Sequence, residues 1–306
     1  MWLVVVVQTV VPLLLISVIA YSTYPSKTQW LLNVVAFGMV ILRLLISSRW
    51  DISSLYLQAV IPLLFFTAVY GSYRKIRAPE TPTPILKNVV VWSVNLALII
   101  LMSGFLWFSL LGYKKPDHAV DLASPLKGTL VVLNGGGSPF TNNHFRVRPQ
   151  SYALDILGVN KFGARASLFG SSQHLESYEI FGQTVFSPCD GKISAVVDGL
   201  PDQTPPTTDT KNPAGNHVLI ECGDIEILLA HLRNQSVRVT IGEIVTTGDP
   251  LAEVGNSGNT SEPHLHIHAE RGGEPGVILD GESVPITIEG RFLVRNSVFR
   301  SSEAGR

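Results

Sequence analysis

The 306-residue sequence predicts two unlike parts, an N-terminal region of four transmembrane helices and a mainly β domain after it. Three patterns carry this. Four apolar runs follow one another within residues 1–112. From about 127 onward, short β-rich runs alternate with Gly, Pro, Asn and Asp clusters. Charge divides at the same place: residues 1–112 hold seven basic and two acidic side chains, net +5, and the other 16 basic and 22 acidic side chains leave the rest at net −6. All eight histidines lie in the second part, so any chemistry is expected there.

The apolar runs cover about 3–21, 31–47, 54–73 and 88–112, each near the ~20 residues of a spanning helix. A secretory signal would have a shorter apolar core and a small-residue cleavage site, and would lack three successors. One run alone fits a buried core helix; four in succession predict a lipid bilayer as partner. Between the third and fourth runs stand Arg74, Lys75, Arg77 and Lys87, and short basic loops face the cytoplasm. The loop with Lys27 is then inside, the loop with Arg49 outside, and everything after the fourth run outside. The expected location is the cell membrane, multi-pass, with the β domain on its periplasmic or extracellular side. Arg43 lies within the second run. It is either a functional intramembrane charge or, as its long stem favours, a side chain that snorkels to the outer interface.

Residues 113–126 read as a linker, 127–300 as the β domain and 301–306 as a tail. GTLVVL, YALDI, KISAVV, HVLIE and EILLAHL are its strand-like runs. Pro201–Gly215 is turn-rich and polar, hence a long loop. Asn134-Gly135-Gly136-Gly137 lacks the Lys-Ser/Thr of a phosphate loop and reads as a turn. Nucleic acid is not an expected partner, and protein partners are left open. Cys189 and Cys222, the only two cysteines, fit a disulfide between neighbouring strands in an oxidising compartment, or two buried small hydrophobes.

Pro263–Glu270 reads PHLHIHAE, with histidines at every second position. Period two is the period of a strand, so His264, His266 and His268 share one face while Leu265, Ile267 and Ala269 share the other. Three imidazoles in register suit a metal or a proton-transfer site better than a solvated face. In Ser151–Ile156, Tyr152, Leu154 and Ile156 form one face and leave Asp155 on the other. If the chain turns back at Pro149-Gln150, His144 pairs across strands with Asp155, and partners within about 4.5–5.5 Å at Cβ can hold one ion.

At these residues the sequence resembles the lysostaphin/LytM-type zinc metallopeptidases. The similarity runs from PHLHIH and the preceding Gly255-Asn256-Ser257-Gly258-Asn259 to four further blocks. These are Ser187–Ile193, Gly215–Val218, Ala230-His231-Leu232 and Gly242–Asp249. Together they span roughly 140–270 in the family's order. The resemblance implies a compact, largely antiparallel β fold with its site in a groove and one zinc ion per domain. It makes Asp155 and His266 zinc ligands, and His231 and His264 catalytic histidines that do not bind the metal. Many members carry a histidine four residues before the aspartate, where this chain has Ser151. A subset with an Asn-x-His block before Gln-x-Tyr-Ala-x-Asp resembles Asn142-Asn143-His144 and Gln150–Asp155, which makes His144 the third ligand. His268 is expected at the outer face or groove, His118 and His174 in solvent, and His217 in packing.

The implied activity is zinc-dependent hydrolysis of peptide bonds outside the cytoplasm, with peptidoglycan cross-links or another peptide as substrate. Two alternatives stay open: a catalytically inactive cell-wall-binding or activator module, and a membrane sensor or transport element with an outer ligand-binding domain.

Overall fold

The computed structural model describes residues 2–77, 85–167 and 172–301, and the chain divides into two compact units, Met1–Leu110 and Leu111–Arg306. The first unit contains α1 (Trp2–Tyr21), α2 (Lys27–Ser47), α3 (Leu57–Tyr73) and α4 (Ile85–Leu111). Ser26 caps α2, its hydroxyl accepting from the Gln29 N–H at 3.2 Å, which satisfies one orphan donor of the first turn. Ile16 and Ile19 of α1, Ile41 of α2, and Ile61, Phe65 and Ala68 of α3 pack around the buried Trp50. Polar side chains on these apolar helices pair with one another: Trp30 Nε1 donates to Ser72 Oγ at 3.0 Å, and Asn95 Nδ2 to Asn33 Oδ1 at 2.5 Å. Arg43 stands with its guanidinium carbon 5.1 Å from the centre of the Phe105 ring of α4. Its charge thus has an aromatic neighbour in the protein.

The four-span expectation holds in part. Among the described residues, three helices are long and apolar enough to cross a membrane, Leu3–Tyr21, Lys27–Ser47 and Asn88–Leu111, with 19, 21 and 24 residues. Helix α3 has 17 residues, about 26 Å of rise against a hydrocarbon core of ~30 Å. The expected run 54–73 shrinks at its start because the Ser54 hydroxyl accepts from the Tyr56 N–H at 3.2 Å, a local bond that competes with helix. Within the basic segment 74–87, residues 78–84 lie outside the described residues.

The second unit is built of strands β1 (Val120–Leu122), β2 (Gly128–Asn134), β3 (Leu154–Gly158), β4 (Thr184–Phe186), β5 (Gly191–Val197), β6 (Asn216–Cys222) and β7 (Ile225–Leu232). Strands β8 (Ile244–Val245), β9 (Pro250–Glu253), β10 (Leu265–Arg271), β11 (Glu282–Val284), β12 (Ile286–Ile288) and β13 (Val298–Ser301) follow. Nine form one sheet in the order β13-β2-β3-β10-β7-β6-β5-β8, with β11 added to β10. Every pairing in that sheet is antiparallel, as is β4 with β9, whereas β1 pairs with β12 in parallel.

The expected linker 113–126 is not free chain. It contains β1, and Leu122 and Leu126 are buried in the domain core. Its strand is three residues long, too short for alternation to register in the sequence. At the other end of the domain, Ser301 closes β13, and 302–306 of the expected tail lie outside the described residues. Cys189 and Cys222 are joined by a disulfide with Cα atoms 6.2 Å apart, tying the entry of β5 to the end of its neighbour β6.

Period-two alternation decides what the central strands face. Ile156 of β3, Leu265, Ile267 and Ala269 of β10, and Ile227 and Leu229 of β7 sink into one core. The opposite faces of β3 and β10 therefore present Asp155, His266, His268 and Glu270 together.

Candidate metal centre

Strand β10 lies between β3 and β7, and the register aligns the candidates: His266 stands opposite Asp155 on one side and opposite Ala230 on the other. The His266 Nδ1 is 2.9 Å from Asp155 Oδ1, and the His144 Nε2 is 2.9 Å from Asp155 Oδ2. Ligand atoms of His144, Asp155 and His266 all lie within 4.8 Å of one another. Asp155 and His266 are buried, while the His144 side chain keeps 23% exposure.

His144 reaches this place by a route the sequence reading did not foresee. No hairpin forms at Pro149-Gln150. Residues Asn143–Arg146 and Arg148–Gln150 are short 3₁₀ turns, the second with Pro149 near its start, where its fixed φ suits a helical turn. Buried Asn142 does the positioning. Its Oδ1 accepts from the His144 N–H at 3.0 Å, and its Nδ2 donates to the Ala153 carbonyl at 3.0 Å, two residues before Asp155. The cross-strand partners of Asp155 are instead His266 and Asn134.

His231 and His264 stand beside this trio with ring centres 4.8 Å apart, and the His264 Nε2 is 3.5 Å from Asp155 Oδ1. His231 sits where β7 bulges against β6, between the pairs Asn216–Leu232 and His217–Ala230, and its φ is +64°. A bulge re-aims a side chain, and a left-handed histidine is a conformation held by its surroundings. Those surroundings are two backbone crossings. The His231 N–H donates to Ala214 O at 3.1 Å, and Nδ1 donates to Ser257 O at 2.9 Å. Gly215 and Gly258 make the second crossing possible. A Cβ on Gly215 would lie 2.3 Å from Ser257 O, and one on Gly258 2.4 Å from Gly215 N. The His264 Nδ1 faces the Glu262 carbonyl at 2.9 Å. A carbonyl only accepts, so both histidines carry a proton on Nδ1.

Burial, with help from the charges of His264 and His266, pushes His231 well below the usual imidazole range. Burial also dominates at His266, which falls to about 3. At His264 burial is outweighed by the Asp155 carboxylate, and the net shift is upward. Burial alone would raise Asp155; the imidazoles of His144 and His264 hold it well below the carboxylate range.

Other residues take part without having been singled out. Asn134, read as part of a turn, donates to Asp155 Oδ2 at 2.6 Å, and buried Arg295 donates to Asn134 Oδ1 at 2.6 Å. No local sequence signal marks either, because the contact exists only once β2 pairs with β3. His268, expected at the outer face or groove, lines the cleft: it is 1% exposed and its Nδ1 stands 2.8 Å from His266 Nε2. His217 lies apart from the trio on β6, its Nδ1 donating to Gly215 O at 2.8 Å. The loop 201–215 does return to the site, since Pro213 and Ala214 line the cleft over His144, His231 and His266.

Residues 177–276 match the family model for Peptidase family M23. These residues therefore form an M23 peptidase domain within this unit. The matched residues include His231, His264 and His266, while His144 and Asp155 precede them. No curated protein matches the chain. Among solved structures it is similar to a zinc-containing peptidase from Vibrio cholerae, at 24% identity and TM-score 0.24, over 42% of this chain and 28% of that one. It is also similar to the catalytic domain of the antimicrobial peptidase lysostaphin from Staphylococcus simulans, at 18% identity and TM-score 0.26, over 34% of this chain and 68% of that one. The chain thus spans little more than a quarter of the Vibrio protein's length. Likeness at these levels bears on neither substrate nor partners.

The donor set of the M23 domain fits zinc. Two imidazoles and one carboxylate, with room for a further ligand, are the composition of a catalytic zinc site. His266 Nδ1 stands 2.9 Å from Asp155 Oδ1, and a cation can take the place of a proton between two such atoms.

Proposed function

We propose that the protein is a membrane-anchored zinc metalloendopeptidase that hydrolyses peptide bonds outside the cytoplasm, with peptidoglycan cross-links as substrate. The observation that carries this reading is the convergence of His144, Asp155 and His266 on one point beside His231 and His264. His144, Asp155 and His266 would hold the ion, and Asn134 would orient the carboxylate through its 2.6 Å bond. Bound zinc brings water toward neutral pKa and polarises a carbonyl. Of His231 and His264, the one with a bare Nε2 can accept a proton from the attacking water, while the other, protonated on Nε2, can stabilise the oxyanion or protonate the leaving amine. The cleft walls supplied by Pro213, Ala214, Ala230 and Ile278 are short or apolar, which suits a peptide of small side chains. Outward placement rests on the basic residues Arg74, Lys75 and Arg77 ahead of α4 and Lys87 in its first turn.

Metal analysis of the purified protein, with turbidity loss of a cell-wall suspension, tests the reading. Stoichiometric zinc and hydrolysis abolished by a chelator are expected. Zinc binding and wall binding without hydrolysis would instead favour an inactive binding module. Absence of zinc would overturn the metal centre.

A further inference from the structure

Beyond the trio, β10 carries two more polar side chains with no task in the scheme above. His268 is 1% exposed and Glu270 7%, and both share the face of His266. The three are joined in series. His266 Nε2 lies 2.8 Å from His268 Nδ1, and His268 Nε2 lies 2.8 Å from Glu270 Oε1. Glu270 also accepts from the Leu279 N–H at 2.9 Å and from the Gly281 N–H at 2.7 Å.

The protons in this series can be counted. An ionised Glu270 only accepts, so His268 Nε2 must carry a proton. A neutral His268 then has a bare Nδ1, which needs a donor, and that donor is His266 Nε2–H. His266 is left with its lone pair on Nδ1, the atom facing Asp155. We propose that His268 and Glu270 are positioning residues, which fix His266 in the Nε2–H tautomer and lock its ring so that Nδ1 is offered to the metal. The inference rests on the zinc-centre reading above. It explains why two polar side chains are buried on a strand whose other face is core.

The carboxylate at the end of the series is itself held by the loop after β10. Leu279 adopts φ +61°, and a Cβ on Gly281 would lie 2.9 Å from the Glu270 Cβ. Only a residue without a side chain lets that amide come so close. Ile278 and Leu279 of this loop line the cleft, so Glu270 ties the cleft wall to the orientation of His266. Burial would raise the Glu270 carboxyl, but the bonds from His268 and Gly281 outweigh it and keep the group ionised.

The test measures zinc affinity of the full-length protein in detergent by competition with a chromophoric chelator. His268→Phe keeps the ring and removes both nitrogens; Glu270→Gln keeps the size and removes the charge. Each is expected to weaken zinc binding by about 10- to 100-fold, the usual cost of losing an outer partner of a ligand. The double variant His268→Glu with Glu270→Gln puts a carboxylate directly beside His266 Nε2 and should recover most of the loss. In the zinc-loaded wild type, ¹⁵N NMR should find His268 protonated on Nε2. Unchanged zinc affinity in both single variants, or a proton on His268 Nδ1, would overturn this role alone. A wild type that binds no zinc would overturn the metal centre and this role with it. Should His268→Phe fail to fold, Glu270→Gln and the tautomer decide.

Discussion

At the scale of single residues, the site separates groups that would hold an ion from groups that would act beside it. His144→Ala, Asp155→Ala or His266→Ala leaves two protein ligands, so both zinc content and hydrolysis should fall together. His231→Ala and His264→Ala remove no member of the trio. Zinc content, measured by atomic absorption, should stay near one per chain while the rate drops by ~10²-fold or more. Full zinc content in His144→Ala would sink its assignment as third ligand, and zinc loss in His264→Ala would exchange its role with that of His266. The same residues predict an acid response in the metal-free protein. His231 and His266 are held below the usual imidazole range by burial. Below the unfolded pKa of ~6.5 the unfolded chain takes up protons that the folded chain refuses, so stability falls with pH. His264 is shifted upward and opposes this, yet two groups outnumber one, and the lowered Asp155 adds a loss in the same direction at lower pH. Thermal scans in chelator should give a lower Tm at pH 5 than at pH 7.5; an unchanged or higher Tm would contradict the burial of these imidazoles.

At the scale of elements, the disulfide closes a loop of 33 residues between the entry of β5 and the end of β6. A cross-link of that span contributes about 3–4 kcal/mol by restricting the unfolded chain. Replacing Cys189 and Cys222 together by Ser should lower the unfolding free energy by about that amount and leave zinc content unchanged. A loss under about 1 kcal/mol would mean that strain in the bridge offsets its entropic gain. The elements themselves were unequally legible. β10 could be read from its histidine alternation and β3 from Leu154 and Ile156 flanking Asp155, because period two is a local property. The partner of β3 could not. A hairpin through Pro149-Gln150 brought His144 to Asp155 on paper; in the fold β10 and β2 flank β3, and His144 arrives on a 3₁₀ turn anchored by Asn142. The contact was foreseen and its cause was not, since strand pairing across 111 residues leaves no local mark. Asn134, Arg295 and Glu270 were invisible for the same reason. The short strand β1 escaped because three residues carry too little pattern, and the run 54–73 was read three residues too long because apolarity does not reveal where α3 begins.

At the scale of the whole chain, the side on which the M23 domain stands depends on α4 and the segment before it. Asn88–Leu111 has 24 apolar-rich residues, enough to cross on its own, and Arg74, Lys75, Arg77 and Lys87 precede or open it. Basic residues beside a span stay in the cytoplasm, so on the proposed topology the unit that begins at Leu111 would emerge on the other side whether or not α3 crosses. The disulfide agrees with that side, where thiols are not kept reduced. A reporter fused after Arg77 should therefore be cytoplasmic and one fused after Arg306 external. A third, after Ser53, reads α3 separately: it falls opposite the Arg77 reporter if those 17 residues span, and on the same side if they do not. Reporters at Arg77 and Arg306 on one side would mean that α4 does not cross. A zinc peptidase site would then face the compartment that holds no cell wall, and the proposed substrate would fall even if the metal centre stood.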